Sequence, residues 1–203
     1  MGSDVPTVRD AGYFAAAFNA VQQLIEKRMV LAGHDISAGG LIVTLLEMCF
    51  ANVKGGIELS LDQIGGKDLI TTLFTEHPGV VLQIESKQMD AVEKLLKEAG
   101  VGCAVIGRHA DARNLYIRRD GKDISIDIDK MRDLWYRTSY LFDLRQSENG
   151  CAEKRYGNYS RLPLNFKFNY NFTGKAAQYG LDPDRRTATG VKAAIIREKG
   201  TNG

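Results

Sequence analysis

The chain is poor in cysteine, proline and tryptophan: three Cys, four Pro and a single Trp in 203 residues. The cysteines, Cys49, Cys103 and Cys151, are far apart and odd in number. That argues against a disulfide framework and fits reduced thiols in a cytoplasmic protein. Charge of one sign is also lacking. The 27 basic and 25 acidic side chains nearly cancel, so no global field draws the chain to nucleic acid or to an anionic membrane. No run approaches the roughly 18 apolar residues that a membrane span requires. The opening Met1-Gly-Ser-Asp4 has neither the basic nor the apolar region of a signal peptide. Repeats, heptads and low-complexity tracts are missing, which leaves out solenoids and coiled coils. What is present is 44% hydrophobic content, in a length that suits one domain of roughly 100 to 200 residues plus an extended segment.

Within 7–29, Phe14, Phe18, Val21, Ile25 and Met29 recur at steps of three and four, which predicts a helix with that face toward the core. Residues 29–32 read as a buried strand, 33–40 as a glycine-bearing loop, and 41–52 as a helix carrying Leu41, Leu45, Met48 and Cys49. A strand at 57–61, a short helix at 68–74, a central strand at 79–85 and a helix over 87–99 ending at Gly100 follow. Further strands are expected near 103–107, 114–118 and 124–128, the last two joined by a hairpin turn at Arg119-Asp-Gly-Lys122, because Asp-Gly supports the positive backbone angles of such turns. A helix over 129–144 places Met131, Leu134, Trp135, Thr138 and Leu141 on one face. The order describes an α+β domain over 1–144, a mixed sheet with packed helices. From 145 to 190 the period fails and Gly150, Gly157, Pro163, Gly174, Gly180 and Pro183 intervene, so an extended linker is expected. Its aromatic residues, including Tyr156, Tyr159, Phe166, Phe168, Tyr170 and Phe172, are too many for a segment floating in water, and predict that it lies against a domain surface. Residues 191–203 form an apolar strand and a glycine-bearing loop that begin another domain.

The segment His34-Asp-Ile-Ser-Ala-Gly-Gly-Leu41 joins a strand end, a carboxylate, a hydroxyl and two glycines just before a helix. Amides at a helix start carry partial positive charge, and glycines let a bulky anion approach them. Asp35 has the oxygen chemistry to ligate Mg2+ beside a phosphate, and Ser37 a hydroxyl to donate to phosphate or to the same ion. The plainer alternative is that Ser37 or Asp35 caps the helix while the glycines make a turn. Gly65-Gly-Lys-Asp68 is not a phosphate loop, since the leading glycine and the closing Ser or Thr are absent. His34, His77 and His109 have no metal-ligand spacing, and no cysteine is placed as a nucleophile. Arg113, Arg118, Arg119 and Lys122, and then Lys154, Arg155, Arg161 and Lys167 among aromatics, could suggest a nucleic-acid face. The neighbouring Glu148 and Glu153 and the near-zero net charge speak against it. Glu47 reads as a surface or internally satisfied residue without a ligand role.

The stretch 34–51, His34-Asp-Ile-Ser-Ala-Gly-Gly-Leu-Ile-Val-Thr-Leu-Leu-Glu-Met-Cys-Phe-Ala51, resembles the His-Asp-Arg-Ser-Asp-Gly-Gly-Leu segment and following Leu-Glu-Met-Ala-Phe-Ala helix of the large phosphoribosylformylglycinamidine synthases. Val191-Lys-Ala-Ala-Ile-Ile-Arg-Glu-Lys-Gly-Thr-Asn-Gly203 is similar to the first strand and loop of that family's class I glutaminase domain. The resemblance covers essentially the whole chain. It implies a fold like the C-terminal domain of aminoimidazole ribonucleotide (AIR) synthase, then the linker, then the start of the glutaminase domain. It also implies a parent C–N ligase of purine biosynthesis, which uses ATP and glutamine to convert formylglycinamide ribonucleotide to the amidine. By the same resemblance Asp35 is a Mg2+ ligand and Ser37 a contact of ATP or ADP, in a site completed by the remaining domains of the parent polypeptide. Ile36 and Ala38 stand where the family has Arg and Asp. A place in the second of the family's duplicated halves points to the auxiliary nucleotide rather than the catalytic one. No catalytic residue is expected here, because a class I glutaminase needs a cysteine and a histidine that would lie beyond residue 203, so the isolated chain is expected to be inactive. AIR synthase and selenophosphate synthetase share such a domain but not the glutaminase-like ending. A stand-alone ligand-sensing or interaction domain, with a structural glycine loop, is the competing reading.

Overall fold

Asp10 starts the first helix. In a computed structural model of the chain, which describes residues 7–66, 68–161, 167–168 and 171–182, its carboxylate accepts the Tyr13 amide at 2.9 Å, satisfying one of the amides a helix start leaves open. The elements run α1 (Ala11–Glu26), β1 (Ala32–Asp35), α2 (Gly40–Phe50), β2 (Gly56–Ser60), α3 (Leu69–Phe74), β3 (Val80–Gln83) and α4 (Met89–Glu98). Three strands and two helices follow: β4 (Gly107–Ala110), β5 (Asn114–Arg119), β6 (Lys122–Asp127), α5 (Ile128–Gln146) and α6 (Cys151–Asn158). Asp68 and Asp127 open α3 and α5 as Asp10 opens α1, accepting the amides of Thr71 and Lys130.

The strands form two sheets. In the larger, ordered β4-β2-β5-β6, β2 lies antiparallel to β4 and parallel to β5, and the β5–β6 hairpin closes at Asp120 and Gly121, both at positive φ, as the Asp-Gly pair predicts. On β5 the alternation expected of a strand buries Leu115, Ile117 and Arg119 on one face. The smaller sheet is a ribbon of β1 and β3, antiparallel, with Asp35 opposite Val80 and Ala32 opposite Gln83. Two expectations shift here. The strand read at 29–32 lies three residues later, at Ala32–Asp35, because its pairing with β3 sets it, while Met29 and Val30 pack into a core instead. The segment 79–85 is one strand of a two-stranded ribbon rather than a central strand.

Two apolar cores flank that ribbon. The larger gathers Leu41, Ile42, Leu45, Leu46 and Cys49 of α2 with Leu59, Leu61, Leu73, Leu115, Ile117 and Ile128. The smaller consists of Ala20 and Leu24 of α1 with Val92 and Leu96 of α4. Successive β3 residues serve both: Val81 packs on the first and Leu82 on the second.

Two helices depart from the inward face expected of them. On α1, Ala20 and Leu24 are buried, while Phe14, Phe18 and Ile25 are exposed. On α5, Leu134 and Leu141 are exposed, Met131 of the expected face packs on the larger core and Trp135 reaches α2, and a second row, Ile128, Arg132, Tyr136 and Tyr140, also turns inward. Tyr136 and Tyr140 stack on Tyr156 of α6, and Asp143 takes a two-pronged pair from Arg155 at 2.6 and 2.7 Å. Helix α6 therefore occupies part of the segment expected to be extended, and the first compact unit runs to Ser160. In the second unit, residues 176–179 make one 3-10 turn, and the Phe168 and Phe172 rings stack with centroids 4.7 Å apart. The strand expected at 191–203 lies outside the described residues. No helix among the described residues is long and apolar enough to cross a membrane.

Candidate functional site

Strand β1 delivers Asp35 to the end of the ribbon, and α2 begins five residues later. The turn between them depends on two glycines. Gly39, the residue before α2, has φ +86°, and Gly40 has φ +74°, in the left-handed region where side chains are strained. At Gly40 there is also no room: a Cβ would lie 2.7 Å from the Leu73 carbonyl oxygen and 2.9 Å from the Phe74 Cα. The start of α2 is thus pressed against the end of α3. Neither Ser37 nor Asp35 caps α2, whose start has no side-chain cap. The Gly40 amide reaches the Ser37 carbonyl at 2.9 Å, and the Gly39 amide donates to Glu76 Oε1 at 2.8 Å. That carboxylate sits where a helix start favours negative charge.

Asp35 and Ser37 are both exposed on this turn, with the Asp35 carboxylate 75% accessible. The backbone behind the carboxylate is held firmly. The Asp35 carbonyl lies 3.1 Å from the Thr44 hydroxyl and 2.7 Å from His34 Nδ1. His34 Nε2 in turn lies 3.3 Å from Glu47 Oε2, and Glu47 Oε1 accepts the Trp135 indole N–H at 2.8 Å. His34 is therefore a bonded histidine, as its spacing suggested, and Glu47 an internally satisfied acid. Among the described residues no three His, Cys, Asp or Glu side chains converge as a metal cage would. Asp35 fits a Mg2+ ion as a single oxygen ligand, since this cation takes one or two carboxylates and fills its remaining positions with phosphate and water.

Glu76, Thr44 and the link from His34 through Glu47 to Trp135 were not identified as site components from the sequence. Spacing could have found Thr44, one turn from Gly40 on the same helical face; Glu76 and Trp135 join the site only through the tertiary fold. Four of the basic residues that might have faced nucleic acid turn inward or pair, Arg118 with Asp123 among them. Arg113 donates to the carbonyls of Cys49 and Gly55 at 3.1 Å and Asn52 at 2.6 Å, and its Nε meets Asp129. Arg119 donates to the Gly66 carbonyl at 3.0 Å and to Thr72, and Arg155 pairs with Asp143. Burial pushes the Cys49 thiol up, against the opposing pull of Arg113, which makes it inert rather than nucleophilic.

A family model described as "AIR synthase related protein, C-terminal domain" matches residues 3–120. The chain is 37% identical over 205 residues to the Arabidopsis thaliana protein called probable phosphoribosylformylglycinamidine synthase, chloroplastic/mitochondrial, covering 100% of this chain and 14% of that protein. It is 31% identical over 193 residues to the human phosphoribosylformylglycinamidine synthase, covering 92% of this chain and again 14% of the relative. The chain thus spans about one seventh of the length of the curated relatives it matches. Among solved structures, Thermotoga maritima PurL complexed with ATP superposes with a TM-score of 0.56 at 13% identity, over 62% of this chain and 23% of that one. The same protein complexed with FGAR superposes at 0.52 and 12%, over 58% and 20%. At these identities the likeness is one of fold, and it agrees with the α+β architecture.

Proposed function

Because the chain belongs to the family of AIR synthase related proteins, C-terminal domain, we propose that it is the nucleotide-site module of a phosphoribosylformylglycinamidine synthase. The parent enzyme is a ligase that takes ATP, glutamine and formylglycinamide ribonucleotide. The likeness over the whole chain to proteins of that name supports the reading. The observation that carries it to particular residues is the turn 35–40: an accessible carboxylate at a strand end and an exposed hydroxyl two residues on, on a turn whose shape two glycines at positive φ set. Asp35 would give one oxygen to Mg2+, and the Ser37 hydroxyl would face the phosphates of ATP or ADP. Bound Mg2+ neutralises phosphate charge. The remaining ligands, the glutaminase chemistry and the second substrate belong to the other domains of the parent chain, its partners in cis. In this division 145–190 leads from the module to the glutaminase domain, with α6 folded onto α5 near its start, 191–203 opens the glutaminase domain, the module alone makes no amidated product, and the compartment is the cytoplasm, where three free cysteines stay reduced.

The test is a thermal melt of the full chain with and without Mg-ADP, repeated for Asp35→Ala, since a ligand selective for the folded state raises its melting temperature. A rise in the wild type that the variant loses is the expected outcome. An equal rise in both removes Asp35 from the site, and no rise in either means that the loop is structural or that the site is completed only by the parent's other domains.

A further inference from the structure

Glu47 stands behind the turn, and its carboxylate links three elements. Gly40, Thr44 and Glu47 follow one another along α2 at steps of four and three, so they share a face, and that face meets the end of β1. Thr44 reaches the Asp35 carbonyl directly. Glu47 reaches it through His34, with Oε2 3.3 Å from His34 Nε2 and His34 Nδ1 2.7 Å from the carbonyl. The other oxygen, Oε1, is taken by the Trp135 indole N–H of α5 at 2.8 Å. Both side chains of the central pair are largely shielded, Glu47 at 23% and His34 at 30% accessibility, so solvent screens them less than a surface pair. Trp135 has a second support, the Phe50 ring at 5.5 Å, so loss of Glu47 leaves α5 an anchor on α2.

We propose that Glu47 is a positioning residue for the turn 35–40: it fixes the His34 ring, and through it the strand end that presents Asp35 and Ser37, and it couples that strand end to α5. The purpose of this positioning rests on the nucleotide-site reading; its existence rests on the contacts alone.

The experiment is hydrogen exchange read by mass spectrometry on the full chain, in wild type, Glu47→Ala and Glu47→Gln, with equilibrium dialysis of ADP in the presence of MgCl2 as a second reading. Glu47→Ala is expected to speed exchange over 34–40 by about tenfold, the loss of one hydrogen bond to a charged group, while β2 and β5 keep their protection. Glu47→Gln, whose amide oxygen still accepts from Trp135, is expected to recover part of the loss. Affinity for Mg-ADP falls by about tenfold in Glu47→Ala and less in Glu47→Gln. Unchanged exchange over 34–40, or a rise spread equally over β2 and β5, overturns the positioning role, whereas selective loosening with Mg-ADP affinity unaltered upholds the positioning and overturns its purpose at a nucleotide site. Selective loosening in a chain whose wild type binds no ADP upholds the positioning and overturns only a nucleotide site carried by this chain alone.

Discussion

Arg28 occupies a position that usually goes to glycine. It follows the last turn of α1 at φ 56°, its amide bonded to Ile25 and that of Met29 to Leu24, the double closure found at helix ends. The equivalent position after α4 is Gly100, at φ 69°. Since a side chain in this conformation costs about 1 kcal/mol and Arg28 is exposed, Arg28→Gly is expected to stabilise the fold by up to about 1 kcal/mol, measured by urea denaturation. Arg113 predicts the opposite sign. It satisfies carbonyls at and after the end of α2, where cations are favoured, and its side chain is only 17% accessible. Arg113→Ala takes one donor from each of those carbonyls and is expected to cost about 3 kcal/mol, read from the same denaturation curves.

At the scale of elements, the strong periods were legible and their partners were not. Helix α2 could be placed from its apolar residues because the larger core and its neighbours bury it on several sides. For α1 the same kind of pattern gave the helix but the wrong inward face, and for α5 only part of the right one, Met131 and Trp135: an apolar stripe says that something should cover it, not what does. The second inward row of α5, Ile128, Arg132, Tyr136 and Tyr140, is half polar and was invisible to a hydrophobic period. Strand β3 looked central because Val80, Val81 and Leu82 run without a break, and the run is explained by cores on both faces rather than by strands on both edges. At the site, Asp35, Ser37 and the two glycines could be singled out because they are consecutive, whereas the link from His34 to Trp135 spans the chain. The α5–α6 contact carries pH dependence at both ends of the scale. Hydrogen bonds from Arg155, then from Ser147, hold the Asp143 carboxyl below the usual range. Its stabilisation is therefore present above the ordinary aspartate value of about 3.9 and is lost as pH falls through the lower folded value. Melting temperatures taken from about pH 6 to pH 3 should fall less steeply in Asp143→Asn. Burial first, and the bond to Asp133 second, push Tyr159 up to about 12. Stability held below the ordinary tyrosine value of about 10 is lost as pH rises through that folded value, and Tyr159→Phe should remove this alkaline loss from the melting profile.

At the scale of the whole molecule, α1 and α5 each leave an apolar face uncovered, Phe14, Phe18 and Ile25 on one and Leu134, Leu141 and Phe142 on the other. In the proposed parent enzyme, which is about seven times longer to judge from the relatives, these are faces for other domains to meet. The double variant Phe14→Ser/Phe18→Ser is expected to bind less of a hydrophobic dye than the wild type, while its unfolding free energy changes by no more than about 0.5 kcal/mol, as for exposed positions generally. The two cores differ greatly in size, and the ribbon that carries Asp35 is the seam between them. The smaller core, with Ala20, Leu24, Val92 and Leu96 as its buried residues, has far less buried apolar surface holding it shut. On heating, α1 and α4 are expected to let go while the larger core is still intact, so a scanning calorimeter should record a total heat larger than the sharpness of the transition alone would give, and the first thing that warmth loosens is one wall of the strand that bears Asp35.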